Sequence, residues 1–272
     1  MTARSRTGDA GLLLGHLRSS TASSLLVAIL VFAAVLATAL APRALAALGD
    51  DELRVSLTSA SPSLRDLSGT GRLGVGETTP AQIGRLLERT DDTILGLPDT
   101  LPQPLRAALG EARWVARTPS SGAGPPVAQP LSTVLALAAD LRRDEAVEFT
   151  AGTEPAAWEP PDDIEQAAGA VVPPIEVAIS EALADRIDLA VGDQLEYSPA
   201  PLLVTGIYTA RDPGNRYWVY LPDLAIPTVS QSSLELPTLR ATVYIDPQSV
   251  AALPDQFASG RITAWVPVDP TA

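Results

Sequence analysis

Between Arg18 and Arg43 the chain carries no charged residue for 24 positions, and residues 25–41 inside that gap are apolar apart from Thr38. A helix needs about 20 predominantly apolar residues to cross the hydrocarbon core of a bilayer. Residues 19–42 are therefore expected to form a transmembrane helix. Arg4, Arg6 and Arg18 precede it, against Asp9 alone, and Asp50, Asp51 and Glu52 follow soon after. Positive residues stay on the cytoplasmic side. The expected topology is a cytoplasmic N-terminus (1–18), a span (19–42), a stalk (43–52) and an extracytoplasmic body (53–272) in the cell membrane.

A cleaved signal peptide is the competing reading, with residues 44–46 (Ala-Leu-Ala) as a small-x-small site. The apolar run exceeds the roughly 7–15 residues of a signal core, which favours a retained helix. Ala33, Ala37 and Ala41 recur at a spacing of four. Small residues so placed let a second helix approach closely, so they form a candidate helix-packing face.

After residue 49 there are 31 Asp and Glu against 15 Arg, and the chain has no Lys and no Cys. An acidic body repels phosphate backbones, which argues against nucleic acid as a partner. Without Cys no disulfide can stiffen an exported domain, so the body must hold by packing. His16 is the one His, and it precedes the apolar run. Ser-His-Asp catalysis, Cys catalysis, His/Cys zinc sites and a Walker A loop all lack an essential residue in the body.

Gly69-Thr-Gly-Arg-Leu-Gly fits the dinucleotide pattern G-x-G-x-x-G, but neither a buried strand before it nor a helix after it is legible. It is expected to be a flexible loop. Asp91/Asp92 and Asp162/Asp163 are the adjacent carboxylate pairs that a hydrolase would use. Solvation is their ordinary role. No catalytic, cofactor-binding or metal-binding residue is assigned.

The body reads as α+β, built from short mixed elements. Residues 54–59 alternate as a strand would, and 61–76 are loop-like. A helix starts at Thr79-Pro80 with Ile83, Leu86 and Leu87 as its apolar stripe, and a second short helix covers 101–109. Strands are expected at 112–118, 131–139 and 146–150. A Gly/Pro-rich connection at 120–130 is a possible break between two subdomains. Residues 153–174, acidic and Pro-rich, are expected to wrap the surface.

The later pattern is sharper. Ile175, Val177 and Ile179 alternate, Ser180 caps a helix carrying Leu183 and Ile187, Gly192 permits a turn, and 194–197 begin a strand. Residues 202–208 form a strand with Gly206 at a bulge. Arg211-Asp-Pro-Gly-Asn is a turn. Residues 217–220 (Tyr-Trp-Val-Tyr) continue as an alternating segment with one aromatic pair in the core, and strands follow at 239–245 and 262–266. Tyr217, near Arg211 and Arg216, is the candidate interaction surface.

Four blocks carry a family resemblance. Val147-Glu-Phe-Thr-Ala-Gly-Thr-Glu-Pro is one, and residues 176–195, with a helix and a Val-Gly-Asp turn, are the second. The third is Leu202-Leu-Val-Thr-Gly-Ile-Tyr with Arg211-Asp-Pro and Tyr217-Trp218. Arg261-Ile-Thr-Ala-Trp-Val-Pro-Val-Asp-Pro is the fourth. In order, spacing and position after an N-terminal span they resemble the FtsX-like permease family of ABC transporters. Asp185-Arg-Ile-Asp departs from the family's usual Leu-Gly before the turn.

The resemblance implies an N-terminal permease segment, the first transmembrane helix plus part of the first extracytoplasmic domain. It also implies further permease helices or a second permease, and a separate ABC ATPase that contacts the rest of the permease. The chain itself would be no enzyme, its body coupling that ATPase to transport or to an envelope partner. The alternatives are a membrane-anchored or secreted ligand-binding module and a carboxylate-dependent hydrolase.

Overall fold

The computed structural model describes residues 52, 55–72, 80–124, 132–159, 172–231 and 237–269. The expected span, with Ala33, Ala37 and Ala41, lies outside the described residues. So do His16 and the Asp162/Asp163 pair. Among the described residues no helix is long and apolar enough to cross a membrane. The chain divides into Met1–Ser59 and Ala60–Ala272. In the first unit residues 55–59 are helical, which corrects the expected strand. Thr58 and Ser59 hydroxyls there donate back to carbonyls three residues earlier, an alternative that Ser and Thr offer the backbone.

The second unit is built on one mixed sheet. Its strands are β1 (Leu67–Gly71), β2 (Arg113–Arg117), β3 (Ser121–Ala123), β4 (Ser132–Ala139), β5 (Val147–Gly152), β6 (Ile175–Ser180), β7 (Gln194–Leu195), β8 (Leu202–Ala210), β9 (Thr228–Ser230), β10 (Thr238–Tyr244) and β11 (Arg261–Val266). The order across the sheet is β1-β11-β2-β4-β10-β6-β8-β5, with β3, β7 and β9 pairing with β4, β8 and β10. β4/β10 and β6/β8 are parallel and the other pairs antiparallel. The sheet runs through both sides of the Gly/Pro-rich connection at 120–130.

β4 shows why the centre holds. Leu135, Leu137 and Ala139 enter one core, while Ala138 faces the other. Such a strand is covered on both faces and reads as a continuous apolar run. The first core lies under α2 (Pro80–Leu95), α4 (Glu181–Ile187) and α7 (Pro254–Ala258), with Leu87, Leu183, Ile187 and Phe257 buried. Trp158 enters it too. Its amide donates to Ser249 Oγ and its indole to Pro173 O, at 2.8 and 2.9 Å. The described start of the acidic 153–174 stretch is mostly exposed, as expected, and is pinned to the core by Trp158.

Ser180 caps α4 as expected, its Oγ accepting from Leu183 N at 3.3 Å. At the other end Asp188 takes φ 55° and ψ 55°, the left-handed residue that commonly closes a helix. The chain uses Asp at a position where Gly is the usual residue. Gly192 turns at φ +99°. β6 and β8 shift register between Val177/Ala178, which face Val204 and Gly206 and leave Thr205 as the extra residue. A Cβ on Gly206 would lie 2.4 Å from Thr153 O and 2.6 Å from the Phe149 ring, so the bulge and the glycine come together.

Residues 61–76 are less loop-like than expected. Pro62 starts a one-turn helix, α1 (Pro62–Arg65), and β1 follows. The G-x-G-x-x-G match therefore begins in a strand: Gly69 and Gly71 pair with Ala264 and Ile262. All five β1 residues are exposed, so the strand exists through its ladder to β11 and not through an apolar pattern. A short helix, α3 (Gln103–Ala107), precedes β2.

Candidate functional site

The second core is aromatic, and what covers it is a helical corner. Residues 217–220 were expected to alternate as a strand. They form α5 (Tyr217–Tyr220), and Pro222 opens α6 (Pro222–Ala225). Asn215 decides this. Its Oδ1 accepts from Tyr217 N at 2.9 Å and its carbonyl accepts from Trp218 N at 3.2 Å, so a capping side chain starts a turn where a strand was expected. Helical spacing then puts Tyr217, Trp218 and Leu221 on the buried side together, while Val219 is 42% exposed.

Tyr217 is 1% exposed. It is not part of a free surface, which corrects the sequence-based expectation. Its hydroxyl donates to Asp140 Oδ2 at 2.7 Å and lies 2.5 Å from Tyr244 Oη. Since an ionised carboxylate only accepts, Tyr244 donates to Tyr217 in this chain. Asp140 Oδ1 accepts from Arg142 N at 2.8 Å. The Arg113 guanidinium sits 5.2 Å from the Tyr217 ring centroid and pairs with Glu145 at 3.1 Å.

Burial pushes the Asp140 carboxyl up, opposed by the Arg142 amide, the Tyr217 hydroxyl and the charges of Arg113 and Arg142. Burial also pushes both tyrosines up, with each other's or Asp140's charge adding to it. Tyr208 fixes α6 by donating to Leu224 O at 2.7 Å. The corner is thus bolted to the sheet by hydroxyls and lined by rings.

Its other end holds the beginning and the end of the unit together. Asp66, whose side chain is fully buried, accepts from Val268 N at 3.0 Å and from Arg216 Nη1 at 3.2 Å through Oδ1. The Tyr220 hydroxyl lies 3.1 Å from Pro62 O and 3.3 Å from Asp66 Oδ2. Burial, then the Asp66 charge, pushes that phenol up to about 12. Its ring stacks on Trp265 at 4.9 Å and 15°. Next to this clasp β1 pairs with β11, Leu67 facing Val266. The incoming and outgoing chain are side by side, with one carboxylate bridging 202 residues of sequence.

The outer side of the corner opens on a largely apolar groove of about 380 Å³, lined among others by Tyr208, Trp218, Ala225 and Ile226, with Glu181 at its edge. Ile226 is 66% exposed.

Of the three expected contact residues, the structure places Arg216 and Tyr217 next to each other at the start of one helical turn, engaged in different contacts. Arg211 stands apart, exposed, with Nη2 donating to Val147 O at 3.2 Å. Asp66, Asp140, Tyr220 and Tyr244 escape sequence reasoning. Each lies far from its partners along the chain, and only the Asn215 cap signal was locally readable. Asp91, one of the pairs considered for hydrolysis, accepts from the Trp114 indole at 2.8 Å and from Arg142 at 3.2 Å, which gives it a structural role.

No known family and no curated protein matches the chain. Solved structures do match. One is a domain of a protein described as a permease, from Porphyromonas gingivalis, at 15% identity, covering 76% of each chain with a TM-score of 0.34. Another is the periplasmic region of MacB from Actinobacillus actinomycetemcomitans, at 14% identity, covering 60% of this chain and 59% of that one with a TM-score of 0.30.

Proposed function

We propose that this body is the extracytoplasmic module of an FtsX-like ABC permease, a non-enzymatic element that moves with the membrane helices as a separate ATPase turns over. The carrying observation is the clasp: Asp66 ties the incoming segment to Val268 and Arg216, beside the β1/β11 ladder. A module inserted between two membrane segments needs both connections at one end and a stiff route from them into the sheet. Here Arg216 and Tyr217 are adjacent on one turn. The first grips the clasp and the second is hydrogen-bonded into the sheet through Asp140 and Tyr244, so a displacement at the connections is passed to the body.

The test asks whether ATP reaches the clasp. Leu64, 82% exposed beside it, is replaced by Cys in this Cys-free chain, within the full permease held with its ATPase in nanodiscs. The expected result is a maleimide reaction rate at Leu64→Cys that changes when ATP and vanadate are added, with no change at Ser259→Cys at the far end of β11. Equal rates at Leu64→Cys in both conditions contradict the proposal. The groove beside Trp218 favours a second reading, an anchored ligand-binding module. Under that reading ATP leaves both positions unchanged.

A further inference from the structure

β2 and β11 are antiparallel neighbours, and their register sets Arg117 directly opposite Arg261. Side chains so placed have Cβ atoms about 4.5–5.5 Å apart, and like charges there are destabilising. One carboxylate answers the pair. Asp223 lies 3.2 and 3.3 Å from Arg117 Nη1, and its Oδ2 also accepts from the Thr242 hydroxyl at 3.0 Å. Arg261 is exposed and has no ion pair among the described residues.

Both arginines line a polar cavity of about 310 Å³, together with Ser120, Ser259 and Asp223. The wall there is tight: a Cβ on Gly260 would lie 2.4 Å from Arg117 O. In a body with 31 acidic residues against 15 Arg, two facing arginines with one aspartate, paired to Arg117 alone, make a local excess of positive charge. At the clasp Asp66 also serves two arginines, Arg65 and Arg216, but both pair with it, whereas Arg261 pairs with no carboxylate among the described residues.

We infer that this cavity binds a phosphate-type oxyanion. A guanidinium presents a planar fork of N–H donors that fits two oxygens of one phosphate. Arg261 offers that fork, and Arg117 contributes the donors that Asp223 does not take. Ser120 and Ser259 line the cavity beside them, the Ser259 hydroxyl donating to Asp255 O at 3.5 Å. The bound anion relieves the cross-strand repulsion that the register imposes. The site is one strand length from the clasp, about 17 Å from the Val266 end of β11, so its ligand acts on a different part of the sheet. The inference does not depend on the permease reading. The phosphate belongs either to a small free molecule or to a lipid headgroup.

Equilibrium dialysis of the full chain in an uncharged detergent against radiolabelled inorganic phosphate tests this. The expected result is saturable retention that falls about tenfold or more in Arg261→Gln, the size expected for losing a charge-assisted hydrogen-bonded contact. Retention stays unchanged in Arg240→Gln, which removes an exposed arginine elsewhere on the sheet. Arg261→Gln should melt no earlier than the parent, because it removes a like-charge neighbour. Displacement of the label by phosphatidylglycerol doped into the micelles assigns a headgroup. Displacement by glycerol 3-phosphate without displacement by the lipid assigns a free ligand. No saturable retention, retention unchanged in Arg261→Gln, or an equal loss in Arg240→Gln would overturn the inference.

Discussion

Tyr217 carries two hydrogen-bond partners on one buried hydroxyl, and removing that hydroxyl strands both Asp140 and Tyr244. Leaving a buried polar group unsatisfied costs about 1–3 kcal/mol. Tyr217→Phe is therefore expected to lower the unfolding free energy by that amount in denaturant titrations. Arg211→Ala, which removes one exposed contact to a backbone carbonyl, should change it by no more than about 0.5 kcal/mol. Equal effects would mean that the triad is not what holds the corner. Asp140 adds a pH signature. Burial raises its native pKa above the ordinary carboxylate value, so the folded state keeps that proton to higher pH than the unfolded chain does. By linkage this group lowers stability as pH rises from the ordinary carboxylate range through its native pKa. Asp140→Asn lacks that loss. The stability difference between variant and parent should therefore move in favour of the variant from about pH 4 to neutrality. Melting curves of both proteins across that range check it, and a difference that stays flat or moves the other way contradicts the assignment.

At the scale of elements, two backbone positions make opposite predictions. Gly206 sits where a Cβ would collide with Thr153 O and the Phe149 ring. Gly206→Ala should cost about 1–3 kcal/mol, as overpacked sites do. Asp188 closes α4 at positive φ, which a side chain opposes by roughly 1–2 kcal/mol in general and less for Asp. Asp188→Gly should then raise the melting temperature, unless the added freedom of the unfolded chain offsets it. A lower melting temperature would mean that the Asp188 side chain makes a contact worth more than the strain. These elements were the legible ones, because a cap, a turn residue and a period-2 pattern are local signals. β1 was not legible: Leu-Ser-Gly-Thr-Gly has no periodicity, and only the neighbouring β11 makes it a strand. The corner at Tyr217–Tyr220 was misread because three aromatics and a valine suit a strand by propensity, while the cap on Asn215 and the Pro222 that follows impose turns. The candidate site was the least legible part. Asp66 and Asp140 look like any other acids in an acidic chain, and their roles come from partners that folding brings to them.

For the whole molecule, the account makes the body a stiff insert gripped at one end. Asp66→Ala would leave the Val268 amide without an acceptor and Arg216, about one-third exposed, without its carboxylate. A loss of about 2–3 kcal/mol is expected, below the fully buried limit because solvent reaches Arg216. The local signature should be faster hydrogen exchange along residues 262–268, with β4 protected as before. Exchange that rises evenly over the sheet would contradict a local clasp. The central claim, an extracytoplasmic module on a membrane anchor, is tested most directly by labelling in intact cells. The chain has no Cys, so single substitutions at Ser20 and Ser259 can be read without background. The account predicts that a membrane-impermeant maleimide labels Ser259→Cys in intact cells and labels Ser20→Cys only after permeabilisation. Labelling of Ser20→Cys but not Ser259→Cys in intact cells would contradict it.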